Sequence, residues 1–332
     1  MKSYFKGKKI LVIGGTGSIG SEIVRQLLAH DPDVVRVYSN DEDAQFNLSQ
    51  SLAGKGDVRF LFGDIRDEAR LKWALEGIDL VFHAAALKHV PACEFDPFEA
   101  VKTNVIGTQN VIKEALEQNV HKVINISTDK AVNPINVLGA TKLLAERITI
   151  SANNYRGGKR TMFSNVRFGN VLASRGSVIP IFLKQIAQGG PVTITDPNMT
   201  RFVMSISQSV DLILKAVTFM DGGEIFILKM PALKIGTLAQ VMIDMFAQKY
   251  GHDPMKMKIL NIGVRSGEKY HEELMTNFET ASAIEKNGMF IIKKGIIDKG
   301  AKAYSLREYN SAETELLSRA GIKKVLEDLA IN

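Results

Sequence analysis

The chain has 332 residues, which suits one large domain or a nucleotide-binding domain with a smaller partner. A hydrophobic content of 45% and a charged content of 23% are ordinary for a soluble globular protein, and no apolar run approaches the roughly 20 residues that span a bilayer. The net charge of +6 comes without basic runs interleaved with aromatic residues, so we expect no nucleic-acid partner. The lone cysteine, Cys93, excludes an intramolecular disulfide framework, and we expect a cytoplasmic protein.

Short apolar runs alternate with amphipathic helical stretches in the first half of the chain. Helices are predicted at 42–51, 68–75 and from Val101 to Leu116. Alternation in units of about 30 residues is typical of an α/β fold with a doubly wound parallel sheet. The predicted strands are residues 9–13, 34–38, 58–61, 80–83 and 122–126.

A glycine-rich turn follows the first strand and precedes a helix. Gly14, Gly17 and Gly20 have Gly-x-x-Gly-x-x-Gly spacing, which is typical of a Rossmann-like dinucleotide site. The helix start, with Thr16, Ser18 and Ile19, offers N–H groups to a pyrophosphate. We therefore predict an NAD(P)-binding domain at residues 1–168. Beyond Phe168 the pattern loosens, and 169–332 is predicted to be mainly a smaller substrate-binding lobe, with later segments returning to the first domain.

The ends of the next strands supply candidate contacts to the adenosine. Asn40 and Asp41 follow the second strand, and a carboxylate there favours NAD over NADP because it can bind the ribose 2′-hydroxyl. Asp64 and Ile65 follow the third strand, where Asp64 is either an adenine contact or a turn residue.

The fourth strand ends in small residues. Ala84, Ala85 and Ala86 let a cofactor lie against the chain, while Lys88 and His89 lie at the pocket mouth and could face a substrate phosphate or sugar. We interpret His83 as a packing histidine, and Asn104 as a buried amide or part of the active-site wall. No cluster has metal-ligand spacing, so no metal is expected.

The segment after the fifth strand carries the chemistry. Asp129 and Lys130 place a carboxylic acid beside an ammonium at the strand end, where ligands of doubly wound sheets bind. Lys142 on the following helix can hold the nicotinamide ribose. A Tyr-x-x-x-Lys pair would place a tyrosine at position 138, where this chain has Leu138. The sequence therefore predicts chemistry other than a simple alcohol dehydrogenation.

Six ordered motifs across nearly the whole chain resemble the extended short-chain dehydrogenases/reductases, and more narrowly the UDP-N-acetylglucosamine 4,6-dehydratases of polysaccharide and glycan biosynthesis. They are Gly-Gly-Thr-Gly-Ser-Ile-Gly (14–20), Ala-Ala-Ala-Leu-Lys-His-Val-Pro (84–91), Ser-Thr-Asp-Lys-Ala-Val-Asn-Pro (127–134), Val-Arg-Phe-Gly-Asn-Val-Leu-Ala-Ser-Arg-Gly-Ser-Val-Ile-Pro (166–180), Met-Thr-Arg-Phe-Val-Met-Ser (199–205) and Ser-Gly-Glu-Lys-Tyr-His-Glu-Glu-Leu (266–274).

The resemblance implies a redox-neutral cycle. Hydride transfer from C4 to bound NAD(P)+ acidifies the C5 proton, which Lys130 would remove while Asp129 protonates the departing C6 hydroxyl. Hydride return to C6 would leave a 4-keto-6-deoxy sugar. Thr128 would bind the O4 region, and Lys142 the ribose. By the same resemblance, the substrate-binding residues of the second lobe would be Asn170, Arg175, Ser177 and Val178, with Arg201, Arg265 and Glu268 near the uridine diphosphate.

Two alternatives remain open at this point. A UDP-sugar 4-epimerase shares the fold, the cofactor and the substrate class, but it does not need an acid aimed at O6. A cofactor-binding scaffold without activity is the non-enzymatic reading. Family members pair through helices of the dinucleotide-binding domain, so the resemblance implies a homo-oligomer, a dimer or a hexamer, with the helical stretches from Val101 to Leu116 and from Thr141 to Ser151 as candidate contacts.

Overall fold

The computed structural model describes residues 1–293, 302–303 (backbone only) and 309–329. The helices are α1 Lys2–Phe5, α2 Ser18–Leu28, α3 Glu42–Ser51, α4 Glu68–Leu75, α5 Val90–Phe95, α6 Pro97–Val101, α7 Gly107–Glu117, α8 Val137–Ser151, α9 Val178–Ala187, α10 Ile206–Phe219, α11 Ile235–Phe246, α12 Asn277–Thr280 and α13 Arg319–Asp328. The strands are β1 Lys9–Ile13, β2 Val34–Ser39, β3 Val58–Phe62, β4 Leu80–His83, β5 Lys122–Ile126, β6 Met162–Arg167, β7 Asn170–Val171, β8 Val192–Ile194, β9 Thr200–Met204, β10 Ile225–Leu228, β11 Ala232–Lys234, β12 Ile259–Asn261, β13 Glu273–Met275, β14 Ala283–Lys286, β15 Met289–Ile292, β16 Lys302–Ala303 and β17 Tyr309–Asn310.

A large sheet dominates the described part of the chain. Its strand order is β16-β14-β15-β10-β6-β5-β4-β1-β2-β3, and the strands from β10 to β3 are parallel. The α/β fold with a Rossmann-like doubly wound sheet, predicted from the alternating pattern, is thus confirmed. The carboxyl ends of β1, β2, β4 and β5 meet at one edge, which is where such sheets bind ligands.

Both faces of the parallel sheet are covered, which explains the continuous apolar runs in its strands. Along β1, Ile10 and Val12 belong to a core with α2 and α10, whereas Leu11 and Ile13 belong to a core with α4 and α7. The alternation of side chains along a strand assigns these residues to opposite faces. The first strand is therefore rigidly held directly before the glycine-rich turn.

The helix predicted from Val101 to Leu116 is not a single regular α-helix. Residues Lys102–Ile106 form a π-helical segment between α6 and α7. Gly107 follows it, and a Cβ there would lie 2.5 Å from Ile65 Cδ1, so the helix packs closely on the segment after β3. The apolar spacing alone does not reveal such an inserted turn, and π-segments are frequent at functional sites.

Segments after residue 168 contribute to both lobes. Strand β10 and the strands β14 and β15 extend the large sheet, and β14 and β15 form a hairpin through Asn287 and Gly288, both with positive φ. The smaller lobe has its own apolar core, which contains residues of α9, α11 and α13. Its short sheets have the strand orders β11-β9-β7, β12-β8 and β13-β17.

Candidate active site

The glycine-rich turn is shaped by close backbone approaches. Gly14 has a φ of +74°, and a Cβ there would lie 2.6 Å from the Ala85 nitrogen. At Gly20 a Cβ would lie 2.2 Å from the Gly14 carbonyl oxygen, which brings α2 against the turn. Gly17 is the N-cap of α2 and supplies no capping side chain, so the first N–H groups of the helix are free to bind an anion. These residues fit a dinucleotide pyrophosphate.

The ends of β2 and β3 line a cleft of about 400 Å³ with the glycine-rich turn and Ala84–Ala86. Asp41 caps α3, because its Oδ1 accepts from the Ala44 N–H at 2.9 Å. Asp64 accepts hydrogen bonds from the Arg66 side chain, the Arg66 N–H and Asn40. Asp64 therefore stabilises the turn after β3 while it lines the cleft, and Arg66 lowers the pKa of its carboxyl.

Asn104 holds the segment after β4 in place through hydrogen bonds to the backbone of Leu87. Its Oδ1 accepts from the Leu87 N–H at 2.9 Å, and its Nδ2 donates to the Leu87 carbonyl and to Thr141. His83 is buried and lies 3.1 Å from the Thr108 hydroxyl, and burial followed by the charge of Lys142 lowers its pKa to about 3. Both residues have the structural roles that the sequence analysis considered, and His83 is a neutral imidazole.

Asp129 and Lys130 form an ion pair at the end of β5, in a short 3₁₀ turn. The distance from Lys130 Nζ to Asp129 Oδ1 is 3.0 Å, and the Thr128 hydroxyl donates to the same oxygen at 2.8 Å. Asp129 is fully buried, and its Oδ2 has no hydrogen-bond partner. The Lys130 side chain is 24% exposed. Burial lowers the pKa of Lys130, but the adjacent Asp129 and Glu272 carboxylates outweigh it and hold the pKa above its ordinary value.

Lys142 lies on α8, at the back of this site. Its Nζ donates to the Ile126 carbonyl oxygen, the last residue of β5, at 2.6 Å. Burial lowers the pKa of Lys142 to about 8, against the opposing charge of Glu146. Leu138, one turn earlier on the same helix, is buried in an apolar cluster with Cys93 and Ala100. The helix thus brings an ammonium to the strand end, and a packing residue replaces the phenol.

A separate cavity of about 220 Å³ opens beside Lys130. Arg201, at the start of β9, donates to Glu268 at 3.2 Å, and Asn170 on β7 has a buried amide oxygen without a partner. The structure thereby brings six of the expected substrate-binding residues together around one cavity. They are Lys88, His89, Asn170, Arg201, Arg265 and Glu268.

The remaining three expected substrate residues lie elsewhere. The resemblance assigns Arg175 to the substrate lobe, but the structure places its guanidinium against the glycine-rich turn, where it donates to the Thr16 carbonyl at 2.6 Å. Lys88 donates to the Arg175 carbonyl oxygen at 2.7 Å and so ties this loop to the segment after β4. Ser177 and Val178 begin α9, and the buried Ser177 hydroxyl has no partner. Arg175 is therefore suited to the cofactor side of the cleft.

Glu272 is the buried group that the sequence analysis did not assign. It lies directly before β13 and lines the same cavity as Lys130, with its Oε1 3.4 Å from Lys130 Nζ. The motif at 266–274 contains it, but two consecutive glutamates at a strand start give no periodic signal of which one is buried. Its neighbour Glu273 instead accepts from Asn133.

Among the described residues, no three histidine, cysteine or carboxylate side chains are grouped so as to hold a metal ion. In the same part of the chain, no helix combines the length and the apolar character needed to cross a membrane.

The parallel sheet, the glycine-rich turn and the Asp-Lys pair define an extended short-chain dehydrogenase/reductase of the nucleotide-sugar dehydratase and epimerase group. The chain belongs to the family described as polysaccharide biosynthesis protein, whose model matches residues 10–294.

Four similar proteins show the range of names in this group. An uncharacterized membrane protein of Methanocaldococcus jannaschii is 53% identical over 99% of this chain and 98% of its own. A UDP-N-acetylglucosamine 4,6-dehydratase (inverting) of Campylobacter jejuni is 43% identical over 88% of this chain and 84% of its own. A UDP-glucose 4-epimerase of Rickettsia rickettsii is 40% identical over 97% of this chain and 96% of its own. The X-ray structure of Pen from Bacillus thuringiensis superposes with a TM-score of 0.94 at 44% identity, covering 99% of both chains.

Proposed function

We propose that this protein is a UDP-N-acetylglucosamine 4,6-dehydratase that forms a UDP-4-keto-6-deoxy-N-acetylhexosamine. The observation that carries the proposal is the Asp129–Lys130 pair, which puts an acid and a base at the end of β5 beside a cavity lined by Arg201 and Arg265. Arginines suit a diphosphate because they form charge-assisted bonds with its oxygens. The 43% identical Campylobacter relative, named as such a dehydratase, supports the same activity.

The residues at the glycine-rich turn fit a nicotinamide dinucleotide, and we infer NAD rather than NADP because Asp41 faces the cleft at the end of β2. When bound, the nicotinamide would supply reversible hydride acceptance. The N–H groups at the start of α2 would bind the pyrophosphate, and Arg175 would add a positive charge beside Thr16. Lys142 would orient the ribose, since its Nζ is held at the strand end by Ile126.

The proton steps of elimination follow from the Asp-Lys contact. Lys130 takes the C5 proton as a free amine, and protonated Asp129 gives its proton to the departing C6 hydroxyl, which leaves as water. The pair then carries the charges of an ion pair. After C6 has been reduced, C5 takes a proton from the Lys130 ammonium, which restores the free amine. The C4 hydroxyl proton, received by Asp129, replaces the proton that leaves with water, and exchange of the Lys130 ammonium with solvent brings deuterium to C5 in deuterated water.

Leu138 leaves the C4 hydroxyl without a phenolate base. The sequence offers two substitutes, Thr128 acting with a water, or the Asp129–Lys130 pair itself. In the structure the Thr128 hydroxyl donates to Asp129, so its oxygen is free to accept a proton that Asp129 could receive in turn. We therefore favour a path from the C4 hydroxyl through Thr128 to Asp129.

The test is incubation of the purified protein with UDP-N-acetylglucosamine in deuterated water, followed by mass spectrometry and NMR. Loss of one water with deuterium at C5 supports the dehydratase, and the C5 configuration distinguishes inversion from retention. An intact sugar with inverted C4 would instead assign the protein as an epimerase. No reaction of this sugar nucleotide would contradict both proposals for this substrate.

The epimerase is the second candidate because several relatives named UDP-glucose 4-epimerase cover nearly the whole chain at 39–40% identity. An epimerase must return hydride to the opposite face of C4, which requires a rotating keto-sugar and no acid at O6. The buried Asp129–Lys130 pair has no task in that reaction. This arrangement is the reason that we place the dehydratase first.

We also propose that the protein forms a homo-oligomer through α5, α6 and α8. Phe95 and Phe98 are 91% and 77% exposed, and Leu144 on α8 is 49% exposed. Large exposed apolar side chains on adjacent helices are typical of protein–protein contacts. Sedimentation of the wild type and of Phe95→Ser/Phe98→Ser tests this: we expect the variant to be monomeric, and an unchanged sedimentation coefficient would contradict the proposal.

A further inference from the structure

Glu272 bridges two cations that have different tasks in the proposed reaction. Its Oε1 lies 3.4 Å from Lys130 Nζ, on the chemical side of the site, and 3.8 Å from Arg201 Nε, on the side proposed for the diphosphate. Its Oε2 is buried and has no hydrogen-bond partner. The side chain is 4% exposed. A single buried carboxylate thus connects the base to the anion-binding arginine.

The charges around Glu272 come from four segments. Asp129 and Lys130 lie on the turn after β5, Arg201 on β9, and Lys269 on the loop before β13. The fourth segment follows β4 and carries Lys88 and His89, which line the cavity together with Arg265. Glu268, on the loop before β13, faces Arg201. Burial raises the pKa of Glu272 above that of a free carboxyl; Lys130 and Arg201 oppose this shift, whereas Asp129 adds to it. Offsetting the charge of either Lys130 or Arg201 would therefore favour the protonated form of Glu272.

We propose that Glu272 is a positioning residue that takes up a proton when an anionic diphosphate binds at Arg201, and thereby releases Lys130 from one of its two carboxylate partners. This inference rests on the proposed function, since it assumes that Arg201 receives the diphosphate and that Lys130 is the base. The proton comes from solvent, and no bond other than the Glu272 O–H is formed.

The direction of the effect follows from electrostatics. A diphosphate diester carries two negative charges, and its approach to Arg201 offsets the positive charge that stabilises the Glu272 carboxylate. The site has little water to screen this change because Glu272 and Arg201 are both buried. Once Glu272 is neutral, only Asp129 stabilises the Lys130 ammonium, so the free amine that removes the C5 proton becomes easier to reach.

The probe is UDP-xylose, which has the diphosphate but lacks C6 and cannot undergo the elimination. Its phosphate diester groups do not titrate near neutral pH, so proton uptake on binding reports on the protein. Titration calorimetry in buffers of different ionisation enthalpy, at several values between about pH 5 and pH 8, counts the protons taken up. The wild type is expected to take up a measurable fraction of a proton per site, and affinity should weaken as the pH rises.

Glu272→Gln keeps the shape of the side chain and removes the titrating group, and Glu273→Gln is the matched control at the next position. We expect proton uptake to fall at least about twofold in the first variant and to equal the wild type in the second. Undiminished uptake in Glu272→Gln, for example from His89, overturns the inference. Binding to the wild type without any proton uptake overturns it too, whether or not the variant folds. Failure of UDP-xylose to bind the wild type would overturn the inference by removing the diphosphate site at Arg201, whereas the turnover test with UDP-N-acetylglucosamine decides the proposed function separately.

Discussion

Leu138 packs against Cys93 in a small apolar cluster that also contains Ala100, with Val90 and Val137 at its edge. Cys93 is fully buried and Leu138 is 3% exposed, so the start of α8 is fixed against α5 and α6. One turn further along α8, Lys142 reaches the end of β5. The residue that replaces the phenol thus helps to hold the helix that carries the lysine.

Leu138→Tyr is expected to destabilise the protein by about 1–3 kcal/mol, because a larger ring and a hydroxyl must enter a filled apolar cluster. Turnover should not increase. Urea unfolding and turnover measurements check both statements. Leu260→Tyr is the matched control, since Leu260 on β12 is 50% exposed and its replacement should change stability by less than about 0.5 kcal/mol. A stable Leu138→Tyr protein with faster turnover would show that the tyrosine reaches the substrate.

The buried ammonium of Lys142 should make stability depend on pH. Its pKa of about 8 lies below that of an unfolded lysine, near about 10.4, so between these values the unfolded state binds more protons and stability rises with pH. Lys142→Met lacks this slope. Its stability relative to the wild type should therefore fall by up to about 1.4 kcal/mol per pH unit above pH 8.

Unfolding curves of Lys142→Met and the wild type at several pH values measure this difference. Lys323→Met, at an exposed lysine of α13, is the control and should keep a constant difference from the wild type. A constant difference for Lys142→Met as well would contradict the prediction, because it would mean that Lys142 has the same pKa in the folded and in the unfolded protein.

Asp129→Asn and Lys130→Met should each lower turnover by about 10²- to 10⁴-fold, since each removes one partner of the proton transfer. Binding of UDP-N-acetylglucosamine should change much less. Asp33→Asn, at an exposed aspartate before β2, is the matched control and should retain full activity. Steady-state kinetics with a separate binding measurement checks the assignment, and full activity of either site variant would contradict the proton-transfer role of that residue.

Gly20→Ala should destabilise the protein by about 1–3 kcal/mol or more and weaken dinucleotide binding, because the new Cβ would lie 2.2 Å from the Gly14 carbonyl oxygen. Backbone atoms on both sides leave little room for adjustment. Gly158→Ala is the control, since no atom lies within 4 Å of its Cβ position. Thermal unfolding and dinucleotide fluorescence titration of both variants give the comparison, and equal behaviour would contradict the close packing of the turn.

The parallel strands were predictable because burial on both faces leaves continuous apolar runs, as in β1 and β5. The glycine-rich turn was predictable because glycine is required where a Cβ would lie too close to neighbouring backbone atoms, as at Gly14 and Gly20. The hairpin of β14 and β15 also has a local signal, an Asn287-Gly288 pair whose positive φ values suit a tight turn, which the sequence analysis did not use.

Other features have no local signal. The distance between Glu272 and Lys130 depends on how the second lobe folds back onto the first, and no spacing along the chain encodes it. The position of Arg175 against Thr16 depends on the path of one loop. The π-helical segment at Lys102–Ile106 shifts a helix that would otherwise continue regularly.

Arg167, at the end of β6, is buried between Glu146 of α8 and Glu279 of α12. Removing one member of such a group leaves an unpaired buried charge, which typically costs about 3–5 kcal/mol. The helix that carries Lys142 is thereby held by a residue more than a hundred positions later in the chain. A chimera in which everything after residue 168 comes from a relative must therefore preserve Glu279 and the strands that complete the large sheet. The second half of the chain is thus not an independent unit that could be exchanged alone to change substrate preference.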